Sequence, residues 1–334
     1  MNEKEILLEN SPNIDELCFR NFVGEADYPK MIKVIEIVNK ADQEEHVETL
    51  QDLKNTYEHL TNSDPYEDML IAEVNGEMIA YSRVEWWQEE DPNDRIYAHF
   101  LNLLPQWRNQ GIEEAIIQWN ENRLRDIAKN HPQDSQRFFQ TYSNEFKPRF
   151  NQILGELKYV DTRYFIEMSR PLDIIPAAEL PAGIEIHPVQ DPETARKVWK
   201  AANEAFKDHW GYSEPKEEHY QEYKNSKYFQ PDLWQVAWDG DEIVASVMNF
   251  IEHDYNKEFK RQRGWTENIS TRKEWRRRGI AKALIVRSMH MHKAKGMTEV
   301  SLGVDTNNPN GALKLYQDLG YKKDKTFITY RKPL

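Results

Sequence analysis

Cysteine is nearly missing from this chain. Cys18 is the only one in 334 residues, which excludes an internal disulfide, a Cys-x-x-Cys redox pair and a cysteine metal cage together. Long apolar runs are missing too: no segment approaches the ~18 residues that cross a bilayer. The first residues, Met1-Asn2-Glu3-Lys4-Glu5, are charged, so secretion is not expected. The chain is therefore expected to be cytoplasmic, with no membrane partner. Positive charge is in deficit, since 44 Lys and Arg stand against 57 Asp and Glu and leave a net charge of -13. Such a field repels phosphodiester backbones, so nucleic acid is not expected as a partner and a cationic or neutral one is favoured. What the chain does have is a globular composition: 39% hydrophobic residues, ten Trp and sixteen Tyr. At this length two hydrophobic cores are the natural reading.

The chain repeats itself once. Pro105-Gln106-Trp107-Arg108-Asn109-Gln110-Gly111-Ile112 runs in step with Lys273-Glu274-Trp275-Arg276-Arg277-Arg278-Gly279-Ile280, sharing Trp, Arg, Gly and Ile. A second pair of segments keeps nearly the same spacing: strand, Asn75-Gly76, strand over Met69 to Trp86, and strand, Asp239-Gly240, strand over Trp234 to Ile251. Both read as β-hairpins. Between the halves lie Pro171, Pro176 and Pro181, which resist helix and central strand and suit a linker. The expected organisation is a domain over 1–170, a Pro-rich linker over 171–182 and a second domain over 183–334. In the second domain the pattern predicts strands at 184–188, 264–271, 298–304 and 326–330. Helices are expected at 192–206, 215–225, 279–295 and 310–319. The first half follows the same order, although 123–150 resists parsing. Strands mixed with helices in this order imply an α/β (α+β) class, a mixed sheet with helices on both faces.

The turn Arg276 to Ala281 joins a strand to a helix that begins at a glycine. Free N–H groups and the helix dipole make such a turn an anion site. Gly279 permits close approach, Ala281 keeps the third position small, and Arg276, Arg277, Arg278 and Lys282 add charge. From Lys257 to Lys282 ten basic residues face three acidic ones. A solvated basic helix start would share these features when the turn is taken alone.

Other segments at fixed distances narrow the choice. Trp265 to Thr271 and Glu299 to Asp305 read as two strands. Asn308-Pro309-Asn310-Gly311-Ala312-Leu313-Lys314-Leu315-Tyr316 follows an N-x-x-A-x-x-L-Y pattern, and Leu319-Gly320-Tyr321 precedes the last strand. Together with the turn, these resemble the GNAT acetyltransferase superfamily, in particular its tandem-domain members. The resemblance covers about 150 residues of the second half strongly and the first half weakly. It implies two tandem GNAT-type domains, each a mixed, splayed sheet, and acetyl transfer from acetyl-CoA to a primary amine of a small molecule in a ternary complex. It further implies that Ile269, Ser270 and Thr271 offer backbone to the pantetheine arm. Arg276, Arg277, Arg278, Gly279, Ile280, Ala281 and Lys282 would surround the pyrophosphate, and Asn308, Ala312 and Tyr316 complete the cofactor site. Thr271 departs from the branched aliphatic common there, without consequence for a strand acting through its backbone.

The roles follow from the same resemblance. Tyr316 matches the family's general acid, a phenol suited to a thiolate leaving group. Glu267, which by alternation shares a face with Ile269 and Thr271, stands where members draw a base, directly or through water; a solvated carboxylate is the competing reading. The N–H of Ile269 or of Thr271 would stabilise the oxyanion. Asp208, His209, Trp210 and Tyr212 lie in the stretch that lines the acceptor site. His290 and His292 are two apart on a helix and cannot share a metal, so no metal is expected. The acceptor stays open among aminosugars, polyamines and aminoglycoside-like compounds, as does oligomeric state. A non-catalytic acetyl-CoA or amine sensor and a protein N-acetyltransferase are the alternatives.

The first half lacks the same parts. Glu113 stands in place of Ala281 and Glu114 in place of Lys282. Counting back from Tyr159, the counterpart of Tyr321, Leu154 replaces Tyr316. A degenerate domain that keeps the fold and binds no CoA is expected there.

Overall fold

The computed structural model describes residues 5–334, so the charged stretch Met1 to Lys4 lies outside the described residues. The chain divides into two compact units: one up to Thr162 together with Ile328–Leu334, the other Arg163–Phe327.

In the first unit β1 (Leu17–Arg20) is followed by α1 (Tyr28–Ala41), α2 (Leu50–Glu58) and α3 (Pro65–Asp68). Then come β2 (Met69–Val74), β3 (Glu77–Gln88), β4 (Arg95–Leu103), α4 (Ile112–Ala128), β5 (Arg137–Asn144) and α5 (Pro148–Glu156). The strands lie in the order β1-β2-β3-β4-β5, antiparallel except for the parallel β4–β5 pair. Asn75 and Gly76 both take positive φ, 53° and 75°, the type I′ geometry that keeps a tight hairpin in phase with strand twist. The 123–150 stretch that resisted parsing holds the end of α4, then β5, then the start of α5.

β6 (Val160–Pro171) carries the chain from the first unit into the second. There follow β7 (Ile184–Ile186), α6 (Pro192–Ala205), α7 (Glu217–Asn225), β8 (Gln235–Asp239), β9 (Glu242–Phe250) and α8 (His253–Glu258). Next are β10 (Arg263–Thr271), α9 (Ile280–Ala294), β11 (Glu299–Asp305), α10 (Ala312–Asp318) and β12 (Lys322–Pro333), whose last residues return to the first unit. The order is β7-β8-β9-β10-β11-β6, mixed because β10 and β11 run parallel. The short α8 had no signal in the sequence; Tyr255 buries it, 1% exposed. The Pro-rich stretch read as a linker lies inside the second unit. Leu172 is buried in its core, with Ile175, Ala178 and Leu180 packed against the same cluster, because apolar residues alternate with the prolines. That core is built from β6, β9, β11 and the inner face of α9, where Ile280, Leu284, Ile285 and Met289 are buried.

His292 shows how tightly α9 sits on β10: a Cβ on Gly264 would meet the His292 ring at 2.1 Å, so only glycine fits there. Among the described residues no helix is long and apolar enough to cross a membrane.

Candidate active site

Two irregularities open the second unit's sheet. The first is a β-bulge. Glu267 pairs with Met248 and Ser270 with Ser246, so Asn268 and Ile269 together oppose Val247, and Asn268 takes φ 46°. Because Met248 and Ser246 are two apart, Glu267 shares a face with Ser270. This corrects the alternation read from sequence, which put Glu267 with Ile269 and Thr271; the inserted residue shifts the phase.

The second is a splay. Parallel pairing of β10 with β11 covers Arg263↔Glu299, Gly264↔Val300 and Trp265↔Ser301 and then stops, although both strands continue. The N–H of Arg272 bonds to Val244 O on the β9 side, 2.9 Å. By strand alternation the N–H of Thr271 faces the splayed side. This unpaired backbone edge borders a cavity of about 870 Å³, within the range of small-molecule sites.

The cavity brings together most of the residues singled out from sequence: Glu267, Ile269, Ser270, Thr271, Arg276, Arg277, Gly279, Ile280, Ala281, Lys282, Asn308, Ala312, Tyr316 and His209 all line it. Arg278, Asp208, Trp210 and Tyr212 are not among its lining residues. Arg278 instead bonds to Glu274 O at 2.8 Å, Asp208 holds Arg276, and Trp210 lies under the Arg163 guanidinium, 5.4 Å from it. Sequence reasoning missed Phe165 and Glu167 of β6 and Phe327 of β12, which also line the cavity. No local signal could find them, since only the pairing of β6 with β11 brings Glu167 opposite Gly303.

At the turn, Arg277 and Gly279 take left-handed φ of 64° and 87°. Gly279 caps α9 with no side-chain hydrogen bond. The first N–H groups of the helix are thus left for an external acceptor, beside the exposed cations Arg277 and Lys282. That is the donor set an anionic phosphate group needs.

Glu267 accepts the Gly303 N–H at 2.9 Å. Burial pushes its carboxyl up to about 7; the Gly303 bond opposes this and Glu167 adds to it. Glu167 is itself held by Arg263 at 2.8 Å. Such a carboxyl exchanges a proton near neutrality, as a general base must. Tyr316, 5% exposed on α10, has its phenol pushed up by burial and then by Glu267, so it stays protonated and can donate. Burial lowers His209 and keeps it neutral, and its ring packs edge-on against Phe206.

Comparison with known proteins points to one family. Residues 197–321 match the Acetyltransferase (GNAT) family. The chain is 21% identical over 269 residues to mycothiol acetyltransferase of Geodermatophilus obscurus, covering 79% of this chain and 82% of the relative. Among solved structures it resembles a GCN5-related N-acetyltransferase from Sphaerobacter thermophilus, with a TM-score of 0.70, 24% identity and 96% of both chains covered. It also resembles a tandem GNAT protein from the clavulanic acid biosynthesis pathway, with a TM-score of 0.63, 10% identity and coverage of 95% and 98%.

Proposed function

Since the chain belongs to the GNAT acetyltransferase family, as a tandem N-acetyltransferase, we propose that it moves an acetyl group from acetyl-CoA to a primary amine of a small molecule, using one site, in the second unit. The observation that carries this reading is the coincidence, in one cavity, of a carboxyl poised near neutrality, a buried phenol and an unpaired strand edge. The fit to CoA rests on this chain's own donors. The uncapped N–H groups from Arg277 to Lys282 suit the pyrophosphate, and the edge of β10 at Ile269 and Thr271 suits the amide-bearing arm. Asn308, Ala312 and Tyr316 line the same cavity.

Acetyl-CoA supplies the activated acetyl thioester. Glu267 takes the proton from the attacking amine, whose nitrogen bonds to the acetyl carbon as the carbon–sulfur bond breaks. The N–H of Ile269 or Thr271 holds the carbonyl oxygen as it gains charge, and Tyr316 gives its proton to the departing sulfur. Phe165, Phe206, His209, Glu167 and Asp305 form the remaining wall, on which the acceptor would rest. The name of the mycothiol acetyltransferase relative supports a small-molecule acceptor over a protein one.

Calorimetric titration of the full chain with CoA, followed by thiol-release assays over a panel of primary amines, tests the proposal. One CoA per chain and amine-dependent thiol release are expected. Absence of binding heat and of thermal stabilisation by CoA would sink it.

A further inference from the structure

Arg276 opens the anion-binding turn, yet its guanidinium N–H groups are all taken by acceptors within the protein. Nε donates to Thr271 O at the end of β10, 3.0 Å. Nη1 donates to Asn310 Oδ1 ahead of α10, 3.2 Å, and to Asp208 Oδ2. Nη2 donates to Asp208 Oδ1 at 3.0 Å and to Ala205 O at 2.9 Å. One planar fork therefore ties the strand edge, the approach to Tyr316's helix and the end of α6, where the acceptor-wall residues Phe206 and His209 sit. Lysine, with a single point charge, cannot make this set.

Stability alone does not account for the fork. Asp208 is 46% exposed, and pairs that exposed contribute only about 0–1 kcal/mol. The first unit supplies an independent observation: Arg108, the counterpart of Arg276, bonds Leu103 O at 3.2 Å and forks onto Asp42. The strand-carbonyl bond and the fork onto an aspartate thus persist beside a turn that has lost its small residue and positive charge, so those two contacts do not depend on an anion.

We propose that Arg276 is a positioning residue and not a phosphate ligand: its fork onto Asp208 latches the segment 205–212, which carries the wall residues Phe206 and His209, to the turn, so that donor binding at the turn tightens that segment. The latch rests on the acetyl-CoA reading above. An anion that fixes the turn fixes the backbone of Arg276, and the guanidinium passes that order to α6 and Asn310.

Hydrogen exchange of the full chain with and without CoA, alongside calorimetry, tests this on Asp208→Asn and Arg276→Lys. In the unsubstituted protein CoA should slow exchange both in the turn and in 203–212. In both variants CoA Kd should stay within about threefold, with the turn still protected and the protection of 203–212 lost. Protection of 203–212 that survives in Asp208→Asn, or never appears in the unsubstituted protein, overturns the latch. So does a loss of about tenfold or more in CoA affinity in Arg276→Lys, which makes Arg276 a direct phosphate ligand. Failure of the unsubstituted protein to bind CoA at all would strike the proposed function instead, which separates the two failures.

Discussion

The two units build the same turn and surround it with different side chains. Asn109 and Gly111 take φ of 62° and 89°, against 64° and 87° for Arg277 and Gly279. In the first unit, however, the Glu113 carboxylate accepts the Asn109 N–H at 3.1 Å and is 4% exposed. Ala281, in the same place, has no side chain to reach Arg277. Sequence alone shows two acidic residues at a position that would repel an anion; the structure adds that one of them sits on the turn as an internal acceptor, its carboxyl pushed up by burial. The lesson is that one backbone turn can hold either free N–H groups or an internal carboxyl, according to a single side chain.

The neighbouring strands repeat the lesson. β4 pairs with β3 without interruption from Ala80↔Leu103 to Gln88↔Arg95, whereas β10 bulges against β9. His99 stands at the place of Glu267. Burial pushes it down to about 4, its ring meets Tyr159 Oη at 2.9 Å, and Thr141 bonds to its carbonyl at 2.9 Å across the parallel pair. Leu154 replaces Tyr316 within an apolar cluster. Yet the backbone bond Tyr159 N–H to Leu154 O, 2.9 Å, reproduces Tyr321 N–H to Tyr316 O, 3.0 Å. The frame is kept and the chemistry is not.

Transplanting parts between the copies should break the contrast. The largest effect is expected from Ala281→Glu, which puts the Glu113 carboxylate onto the functional turn. CoA affinity should fall by about 100-fold or more with the fold intact, since the new carboxylate takes the Arg277 N–H from the ligand and repels its charge; near-native calorimetric affinity would show that the turn does not hold the anion.

Glu267→Gln comes next, with turnover expected to fall by about 100-fold. In the unsubstituted protein turnover should rise with pH through about 7, and this limb should vanish in the variant. Stability gives a second reading of the same group. The folded carboxyl titrates above its unfolded value, so its stabilising contribution is full below about pH 4.5 and is lost as pH rises through about 7. Glu267→Gln should therefore raise Tm at pH 8 and leave it unchanged at pH 4, and an equal Tm shift at both would disprove the assignment.

Tyr316→Phe should lower turnover by roughly 10- to 100-fold while CoA Kd holds, which steady-state kinetics beside calorimetry would read. The Arg–Asp forks should differ in stability. Asp42 is 2% exposed and also meets Lys147 at 3.2 Å, so Asp42→Asn should cost about 2–4 kcal/mol in denaturant unfolding against about 0–1 for Asp208→Asn. The smallest effect is expected from Glu113→Ala: CoA stoichiometry should remain one, because the regular β4 and Leu154 still lack the other parts.

Much of this was legible in the sequence because it rests on local chemistry. The duplicated turn, the Asn75-Gly76 hairpin, the helix opening at Gly279 and the strand into Thr271 all follow from glycine placement and hydrophobic period. The site was legible only as a set of candidates. Nothing near Asp208 marked it as the partner of Arg276, 68 residues away in sequence. The alternation rule also failed at Asn268, where an extra residue is accommodated by pairing with β9.

The sequence by itself determined that the chain holds two related folds, that the second keeps a basic turn with a small residue at Ala281 and a tyrosine on a later helix, and that the first has replaced both. Those are properties of backbone conformation and side-chain type, which neighbours in sequence set. Only the tertiary structure decided which strand edge stays unpaired, that Glu167 and Phe165 of β6 reach the second unit's cavity, and that burial brings Glu267 near neutrality. Each of these depends on what lies across a sheet or behind a side chain, and both pairing and desolvation are set by residues distant in sequence.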